Sequence, residues 1–328
     1  MKIMIAGLGS IGRRHFRNLL SLGERNLLLY RTGNSTLPDG ELADFPVVTD
    51  LEAALSCQPE AVIVSNPTAL HMDVAIPAAR AGCHLLVEKP ISASMDRIPE
   101  LQAALAEAGV KALVGYHYRF HPGLQLLKEL LDSNAIGRPL SVRVHWGEYL
   151  PGWHPWEDYR QGYSARPDLG GGVILTLSHP FDYLRWLFGE VEALWAFSGA
   201  IGDLELQVED TAEVGFRFKR GLLGSLHLDY YQRPPAHWLE VVGALGTLHW
   251  DNAAGVVRVY RLQISGWEEL PPPPGFERNS LFVSEMSHFL QVCRGESQPF
   301  CSLEDGIQAL KIALAARVSQ KSGQLISL

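Results

Sequence analysis

The amino-acid sequence predicts a two-domain α/β protein. An N-terminal domain is built on a parallel sheet, and a C-terminal α+β domain carries a large, mostly antiparallel open sheet. Three observations lead there. Over about the first 115 residues, short apolar runs alternate with helical patterns. After His121-Pro122 the pattern changes to consecutive strands joined by short loops. The chain has 328 residues, more than the roughly 250–300 over which one core keeps growing.

The first region supplies strand candidates at Ile3 to Ala6, Leu27 to Tyr30, Ala61 to Ser65, Leu85 to Glu88 and Ala112 to Gly115. Phe16, Leu19 and Leu20 fall at helical spacing between the first two, and Gly82 reads as the glycine that ends a later helix. Strands separated by helices pair in parallel through right-handed crossovers. In the second region Leu124, Leu127 and Leu131 mark a helix stopped by Gly137-Arg138-Pro139. Strand candidates follow at Ser141 to Gly147, Ala212 to Phe218, Gly224 to Tyr230, Leu239 to Val242, Thr247 to Trp250 and Val256 to Leu262. One helix is expected to carry Ile174, Leu177, Phe181, Leu184 and Phe188 on a single face. Two more close the chain, through Phe282, Met286, Phe289 and Cys293 and through Leu303, Ile307, Leu310, Leu314 and Val318. The domain boundary is placed between residues 119 and 120.

Apolar residues make up 47% of the chain and charged residues 20%, the balance of a globular protein. The net charge is −8 and the basic residues are scattered, which excludes a nucleic-acid-binding stripe. No apolar run reaches the ~18 residues of a membrane span, and the first residues read as a buried strand rather than a leader. Cys57, Cys83, Cys293 and Cys301 form no C-x-x-C pair and no zinc-finger spacing. Reduced thiols, and so a cytoplasmic location, are expected.

Gly7-Leu8-Gly9-Ser10-Ile11-Gly12 follows the first strand and opens a helix. In that context the glycines carry a mechanism. Gly7 allows a tight turn, Gly9 admits a pyrophosphate against the backbone, and Gly12 lets helix and strand pack closely. The free N–H groups at the helix start, Ser10 and Ile11 among them, then face phosphate oxygens. This is the dinucleotide-binding loop of a Rossmann-type domain. An acid at the end of the second strand would hold the ribose 2′-OH of NAD. Here the strand ends at Tyr30-Arg31-Thr32, with no acid until Asp39. Arg31 suits a 2′-phosphate, so NADP is the expected cofactor and NAD the alternative, with Arg31 and Thr32 as candidate contacts.

Four further motifs stand downstream: Glu88-Lys89-Pro90, Gly115-Tyr116-His117-Tyr118-Arg119-Phe120, Gly170-Gly171-Gly172, and His179 with Asp182. Their order and spacing over nearly the whole chain resemble the Gfo/Idh/MocA family, the glucose–fructose oxidoreductase and inositol dehydrogenase group. The resemblance implies hydride transfer at a secondary hydroxyl of a sugar, polyol or sugar derivative. It also implies a homodimer or homotetramer joined through the C-terminal sheet. The family's lysine falls on Lys89, at the carboxyl end of a parallel strand, where open α/β sheets bind ligands. An ammonium there stabilises a developing alkoxide. The family's histidine falls on His179, a group suited to acid–base work near neutrality. Lys89 and His179 are therefore the expected catalytic pair.

Around them, Asn66, Pro67, His71, Glu88 and Lys89 are expected at the cofactor, and Arg119 is expected to bridge the domains or reach the nicotinamide. Tyr116, His117 and Thr176 are expected at the substrate. The stretch from Glu148 to Gly172 reads as a substrate loop. Its Trp156 and Tyr163 offer faces to the C–H side of a sugar, and Arg166, like Arg160, suits an anionic one. The chain departs from the family pattern at Leu175, where many members carry an aspartate four residues before the histidine. Pro180 and His117, the latter at a common asparagine position, are further departures. His117 and His121 stand four apart but at a strand end and loop, without a third ligand, and no metal is expected. Two other functions fit the same frame: a glycosidase using bound NAD for transient oxidation, and a sugar- or cofactor-sensing protein that has lost the base.

Overall fold

Six parallel strands form the N-terminal sheet: β1 (Ile3–Ala6), β2 (Leu27–Tyr30), β3 (Val47–Val48), β4 (Ala61–Val64), β5 (His84–Glu88) and β6 (Ala112–Gly115). Their order is β3-β2-β1-β4-β5-β6. Helices α1 (Ser10–Ser21), α2 (Leu51–Ser56), α3 (His71–Arg80) and α4 (Ile98–Ala108) join them. Both faces of such a sheet are covered, so its strands are continuous apolar runs. Every residue of β1 and β4 is wholly buried. Because β1 is flanked by β2 on one side and β4 on the other, the winding reverses at its carboxyl end. That crevice is where open α/β sheets take ligands. Gly82 adopts a left-handed φ of 83° just past α3, as its position after the helical pattern predicts.

The computed structural model describes residues 1–33 and 37–328. It divides the chain into two units, and not by the single cut at 119/120. Met1–His117, Asp168–Gly170 and Arg278–Leu310 make the first, and Tyr118–Pro167, Gly171–Glu277 and Lys311–Leu328 the second.

In the second unit α5 (Pro122–Asp132) leads into β7 (Pro139–Gly147), followed by two short helices, α6 (Val173–Thr176) and α7 (His179–Phe188). Then come β8 (Val191–Gly199), β9 (Thr211–Phe218), β10 (Leu223–Asp229), β11 (Ala236–Gly243), β12 (Gly246–Asp251), β13 (Val257–Arg261) and β14 (Gly266–Leu270). With β15 (Ile326–Ser327) they form a nine-stranded sheet ordered β14-β13-β12-β11-β7-β10-β9-β8-β15. Only β7 and β10 run parallel among its pairs. Alternation is strict in the centre. Val142, Val144, Trp146, Leu226, Leu228, Leu239 and Val241 point into the core, and their neighbours point out.

The single helix expected from Ile174 to Phe188 is two. Pro180 cannot donate to Thr176, and its ring opposes a helix running through it. The helix therefore restarts at His179, capped by Ser178, with proline in the first turn, where its missing N–H costs nothing. β8 was not foreseen: Glu192, Ala193 and Leu194 favour helix, and pairing along β9 overrides that preference.

The chain returns to the first unit through α8 (Arg278–Cys293) and the start of α9 (Leu303–Ser322). α8 lies against α1, where Asn279 Nδ2 donates to Asn18 Oδ1 at 2.9 Å.

One buried ion pair ties α7 to the segment that opens the second unit. Arg119 Nε and Nη2 donate to Asp182 Oδ2 and Oδ1 at 2.9 and 2.7 Å, and both residues are buried. Two parallel bonds to one carboxylate fix orientation as well as charge. Removing one partner strands a buried charge, at about 3–5 kcal/mol. Asp182→Ala is expected to lower the stability read from urea unfolding by that amount. A loss under about 1 kcal/mol would show the pair to be dispensable.

Candidate active site

The glycine loop is built by close backbone approach. A Cβ on Gly7, whose φ is +91°, would lie 2.5 Å from the Asn66 nitrogen, and one on Gly12 would lie 2.0 Å from the Gly7 carbonyl oxygen. Ser65 Oγ locks the crossing by donating to that same oxygen at 2.9 Å. Gly9, by contrast, has nothing within 4 Å of its Cβ position. It is exposed beside exposed Ser10 and half-buried Ile11. Gly9 caps α1 without a side-chain bond, and no acid lies in the first turn. An open backbone cradle at an uncompensated helix N-terminus suits a dinucleotide pyrophosphate.

At the end of β2, Arg31 does not stand alone. Its Nη1 pairs with Asp39 Oδ1 at 2.5 Å, and Arg13 Nη2 reaches the same oxygen at 3.1 Å. Glu41 pairs with Arg13 and Arg17. The hydrogen bond from Arg31, and then that from Arg13, hold the Asp39 carboxyl below its usual range. Arg31, Asp39, Leu42, Phe45 and Val47 line a depression of about 440 Å³. Thr32 is exposed at its edge in sequence, and residues 34–36 of this loop lie outside the described residues. The acid that the strand end lacks is thus brought back by the loop that follows it.

Past β4, Asn66 Nδ2 donates to the Leu70 carbonyl at 2.9 Å, and Pro67 precedes a short 3-10 turn. His71 opens α3 fully buried, its Nε2 2.9 Å from the Asn66 carbonyl and its Nδ1 3.3 Å from that of Ile91. Burial pushes its pKa down. The buried imidazole thereby stands between the turn after β4 and the turn after Lys89, where its neutral form donates to one of the two carbonyls.

Glu88 ends β5, Lys89 follows half-buried, and the bond to Pro90 is cis. Glu88 Oε1 lies 2.7 Å from His15 Nε2, and Oε2 accepts the Lys89 N–H at 3.1 Å. Glu285 of α8 completes a buried trio with His15 and Glu88, ligand atoms all within 4.8 Å. Among the described residues neither Glu285 oxygen has a hydrogen-bond partner, and the residue is 0% exposed. Burial, and then the Glu88 charge, push Glu285 well above the carboxylate range. Burial also opposes charge on Glu88, but the His15 bond and the charges of His15 and Lys89 outweigh it and hold Glu88 low. Two neighbouring carboxyls are driven apart, one ionised beside Lys89 and one neutral.

Tyr116 is wholly buried after β6. The half-buried His117 lies on the Phe282 ring at 4.1 Å. Burial, then the positive charges of Lys89, Arg278 and Arg14, push its pKa well down, so it is a neutral imidazole. In the first unit, then, the glycine loop, the Asn66–His71 turn, Lys89 and Tyr116-His117 all follow the carboxyl ends of β1, β4, β5 and β6.

In the second unit His179 is the first residue of α7 and is 2% exposed. Tyr118 meets its ring edge-on at 4.8 Å, and Trp146 lies at 5.7 Å. The Tyr118 hydroxyl lies 3.2 Å from His237 Nδ1, and the Tyr183 hydroxyl 3.0 Å from His237 Nε2. Leu175, in α6, lies across the helix break from His179, so the four-residue spacing no longer describes one helix face. Thr176 ends α6 buried. Arg119, expected at the nicotinamide or between domains, is placed in the pair with Asp182. Trp156 is 56% exposed, whereas Tyr163 and Arg166 are half-buried. Arg160 pairs with Asp158 and Glu205. Gly171 anchors the loop's end, for a Cβ there would strike the Tyr163, Ser164 and Arg166 carbonyls at 2.5–2.8 Å.

Sequence reasoning missed His15, Asp39, Tyr118, His237 and Glu285. Glu285 alone left a signal: a carboxyl between Phe282, Met286 and Phe289 on an apolar helix face.

A phosphate-ready glycine loop at the switch point of a parallel sheet, with a lysine past a neighbouring strand, defines a dinucleotide-dependent oxidoreductase fold. Comparison with known proteins names the family. Residues 1–116 match the oxidoreductase family with an NAD-binding Rossmann fold, and residues 124–249 match the GFO/IDH/MocA C-terminal domain. The chain belongs to the Gfo/Idh/MocA family. It is 31% identical over 274 residues to the 1,5-anhydro-D-fructose reductase of Ensifer adhaerens, covering 81% of this chain and 78% of that one. It is 27% identical to the myo-inositol 2-dehydrogenase of Thermotoga maritima, over 100% of this chain and 98% of that one. Among solved structures, a levoglucosan dehydrogenase in complex with NADH and levoglucosan superposes with a TM-score of 0.87 at 19% identity, covering 100% of this chain and 99% of that one.

Glu285 also sets a pH signature. Its pKa is raised in the fold, and the unfolded chain releases that proton near the ordinary value of about 4.3. Above that value the unfolded state binds fewer protons, so stability is lost as pH rises toward the raised pKa. Glu285→Gln removes the titration, and its melting temperature is expected to gain on the wild type as pH rises from about 5 to about 8. Each tenfold difference in proton affinity between the folded and the unfolded chain contributes about 1.4 kcal/mol to that gain. A gap that stays constant with pH would refute the neutral assignment.

Proposed function

We propose that this protein is an NAD(P)-dependent dehydrogenase that transfers a hydride between the nicotinamide and the carbon of a secondary hydroxyl in a sugar, polyol or sugar derivative. The observation that carries the reading is Lys89, held past the carboxyl end of β5 by the Glu88 carboxylate, in the sheet whose first strand ends in the glycine loop. The relatives' names, a fructose-derivative reductase and an inositol dehydrogenase, support the substrate class.

The bound cofactor supplies the hydride acceptor or donor. The α1 N-terminus offsets the pyrophosphate charge. The Lys89 ammonium hydrogen-bonds the reacting hydroxyl and stabilises the alkoxide as it forms. His179 takes the hydroxyl proton in oxidation and returns it in reduction. Position 175 holds leucine, and Tyr118 and Trp146 pack against the imidazole. His117, kept neutral, offers a hydrogen bond to substrate without adding charge beside Lys89. Trp156, Tyr163, Thr176 and Arg166 complete the substrate contacts, and Arg166 suits an acidic sugar.

For the cofactor, Arg31 favours NADP, its guanidinium moving from Asp39 to the 2′-phosphate. The exposed Asp39 favours NAD as the second reading, because it can accept the ribose 2′-OH, and the levoglucosan dehydrogenase complex contains NADH. A cytoplasmic location is supported by four free cysteines, and among the described residues no helix is long and apolar enough to cross a membrane. A homodimer or homotetramer through the C-terminal sheet is supported by Trp195, Phe197 and Val242, 45%, 69% and 38% exposed on its strands.

Two sets of variants test the reading. Lys89→Ala is expected to keep cofactor affinity and lose about 10²–10⁴-fold in kcat on a polyol or sugar substrate, and His179→Gln is expected to abolish the acid limb of kcat/KM. Near-normal turnover in Lys89→Ala would reduce the lysine to a structural part. For the cofactor, fluorescence titration should show NADP(H) binding tighter than NAD(H), with the preference reversed in Arg31→Ala. Equal affinities unchanged by that substitution would remove Arg31 from the cofactor, and loss of NAD(H) binding in Asp39→Asn would establish the second reading.

A further inference from the structure

A second constellation lies on the outer face of the nine-stranded sheet, in the cross-strand row that continues to Phe197 on β8. Cross-strand register assembles it. His227 on β10 stands beside His145 on β7 and beside Glu213 on β9, and His145 stands beside Trp238 on β11. Asp229 lies two residues beyond His227, on the same face. Ligand atoms of His145, His227 and Asp229 all fall within 4.8 Å of one another.

We propose that His145, His227 and Asp229 form a binding site for a divalent transition-metal ion. Two imidazoles and one carboxylate are a donor set for zinc-class ions. Magnesium and calcium, which take oxygen ligands, do not use it. His227 Nε2 and Asp229 Oδ2 are hydrogen-bonded at 3.0 Å, and an ion would take the place of the proton between them. Two donors about 2.0–2.2 Å from one tetrahedral ion are separated by roughly 3.3 Å, so this pair is already close to chelating distance.

The surroundings hold these donors as a metal site's outer groups do. Glu213 Oε1 lies 2.5 Å from His227 Nδ1. A carboxylate accepting from the distal nitrogen of a histidine fixes its tautomer and turns its other nitrogen toward the ion. The second Asp229 oxygen, Oδ1, accepts the N–H groups of Tyr231 and Gln232, both at 2.6 Å, so Oδ2, which meets His227 Nε2, is the oxygen an ion would take. Gly147 makes the room: a Cβ there would stand 2.2 Å from Asp229 Oδ2. His145 is sandwiched between the His227 ring at 4.6 Å and the Trp238 ring at 5.6 Å, both nearly parallel to it. Bringing its nitrogen onto the ion requires a turn about χ2, a torsion with a broad profile. The fourth position faces a surface depression of about 500 Å³, lined by Thr211, Tyr231, Gln232 and Arg233 besides His227 and Asp229. A water or a small anion completes the shell there, as in sites with three protein ligands. No local spacing along the chain announces this group, because its members come from two strands that are distant in sequence and adjacent in the sheet.

Full-length protein stripped with a chelator and titrated with Co²⁺ tests the site, since a low-coordinate cobalt centre absorbs in the visible and Zn²⁺ should then displace it. The expected result is one ion per chain. His227→Ala should abolish binding, and Glu213→Gln, at a half-exposed residue, should weaken it about 10–100-fold. His249→Ala, a nearby surface histidine on β12, should leave the affinity unchanged. No Co²⁺ spectrum with the wild type would overturn the proposal. So would wild-type affinity in His227→Ala, or, should that variant fail to fold, wild-type affinity in both Glu213→Gln and His145→Ala.

Discussion

The crossing of three backbone segments at Gly7, Gly12 and Asn66 is the constraint on which the rest of the first unit depends. The Gly7 carbonyl oxygen stands 2.0 Å from where a Gly12 side chain would begin, and the Asn66 nitrogen stands 2.5 Å from where one on Gly7 would. Those approaches set α1 directly on β1 and β4, and the helix N-terminus is left open at the reversal of strand order. The same closeness puts the Asn66–His71 turn beside the loop. His71 then reaches the backbone just past Pro90. The cradle for phosphate and the turn bearing Lys89 are thus parts of one packed object, joined by a buried imidazole rather than by flexible side chains.

Behind Lys89 the charge is arranged in depth. His15 comes from the helix that follows the glycine loop, Glu88 from the strand before the lysine, and Glu285 from a helix that returns from far along the chain. A single ionised carboxylate beside the ammonium is stabilised by His15. A second one in the same pocket would cost too much, so Glu285 stays neutral. The C-terminal return is therefore more than cover for the sheet. It brings a second carboxyl that burial and the Glu88 charge keep protonated, and Phe282 of the same helix packs on His117.

Five strands of the parallel sheet were legible almost residue by residue, and the two-residue edge strand β3 was not. β1, β2 and β6 run over the stretches that their apolar runs predict, because strands buried on both faces announce themselves as continuous runs. What escaped is what long-range pairing decides. β8 carries helix-favouring residues and is a strand because β9 pairs with it. Asp39 was too far from β2 to count as its acid, yet the loop folds it onto Arg31. The two units interleave in sequence, since residues 278–310 return to the first. Glu285 hid in an apolar period, visible only as the odd member of its face. The cross-strand group of His145, His227 and Asp229 had no local signature at all.

Pro180 shows how one residue can be read correctly as a conflict and still leave its outcome open. A proline next to the proposed base admitted either a kink or a restart, and the restart decides the neighbourhood. With α6 ended at Thr176 and α7 begun at His179, position 175 is no longer one helical turn below the histidine. A carboxylate at 175 would then need a different geometry to reach the imidazole. The leucine found there is wholly buried and fills core. Tyr118 and Trp146 pack against the imidazole, and Tyr118 is itself tied to Tyr183 through His237. Leucine at 175 therefore belongs to the packing of α6, on the far side of the helix break from His179.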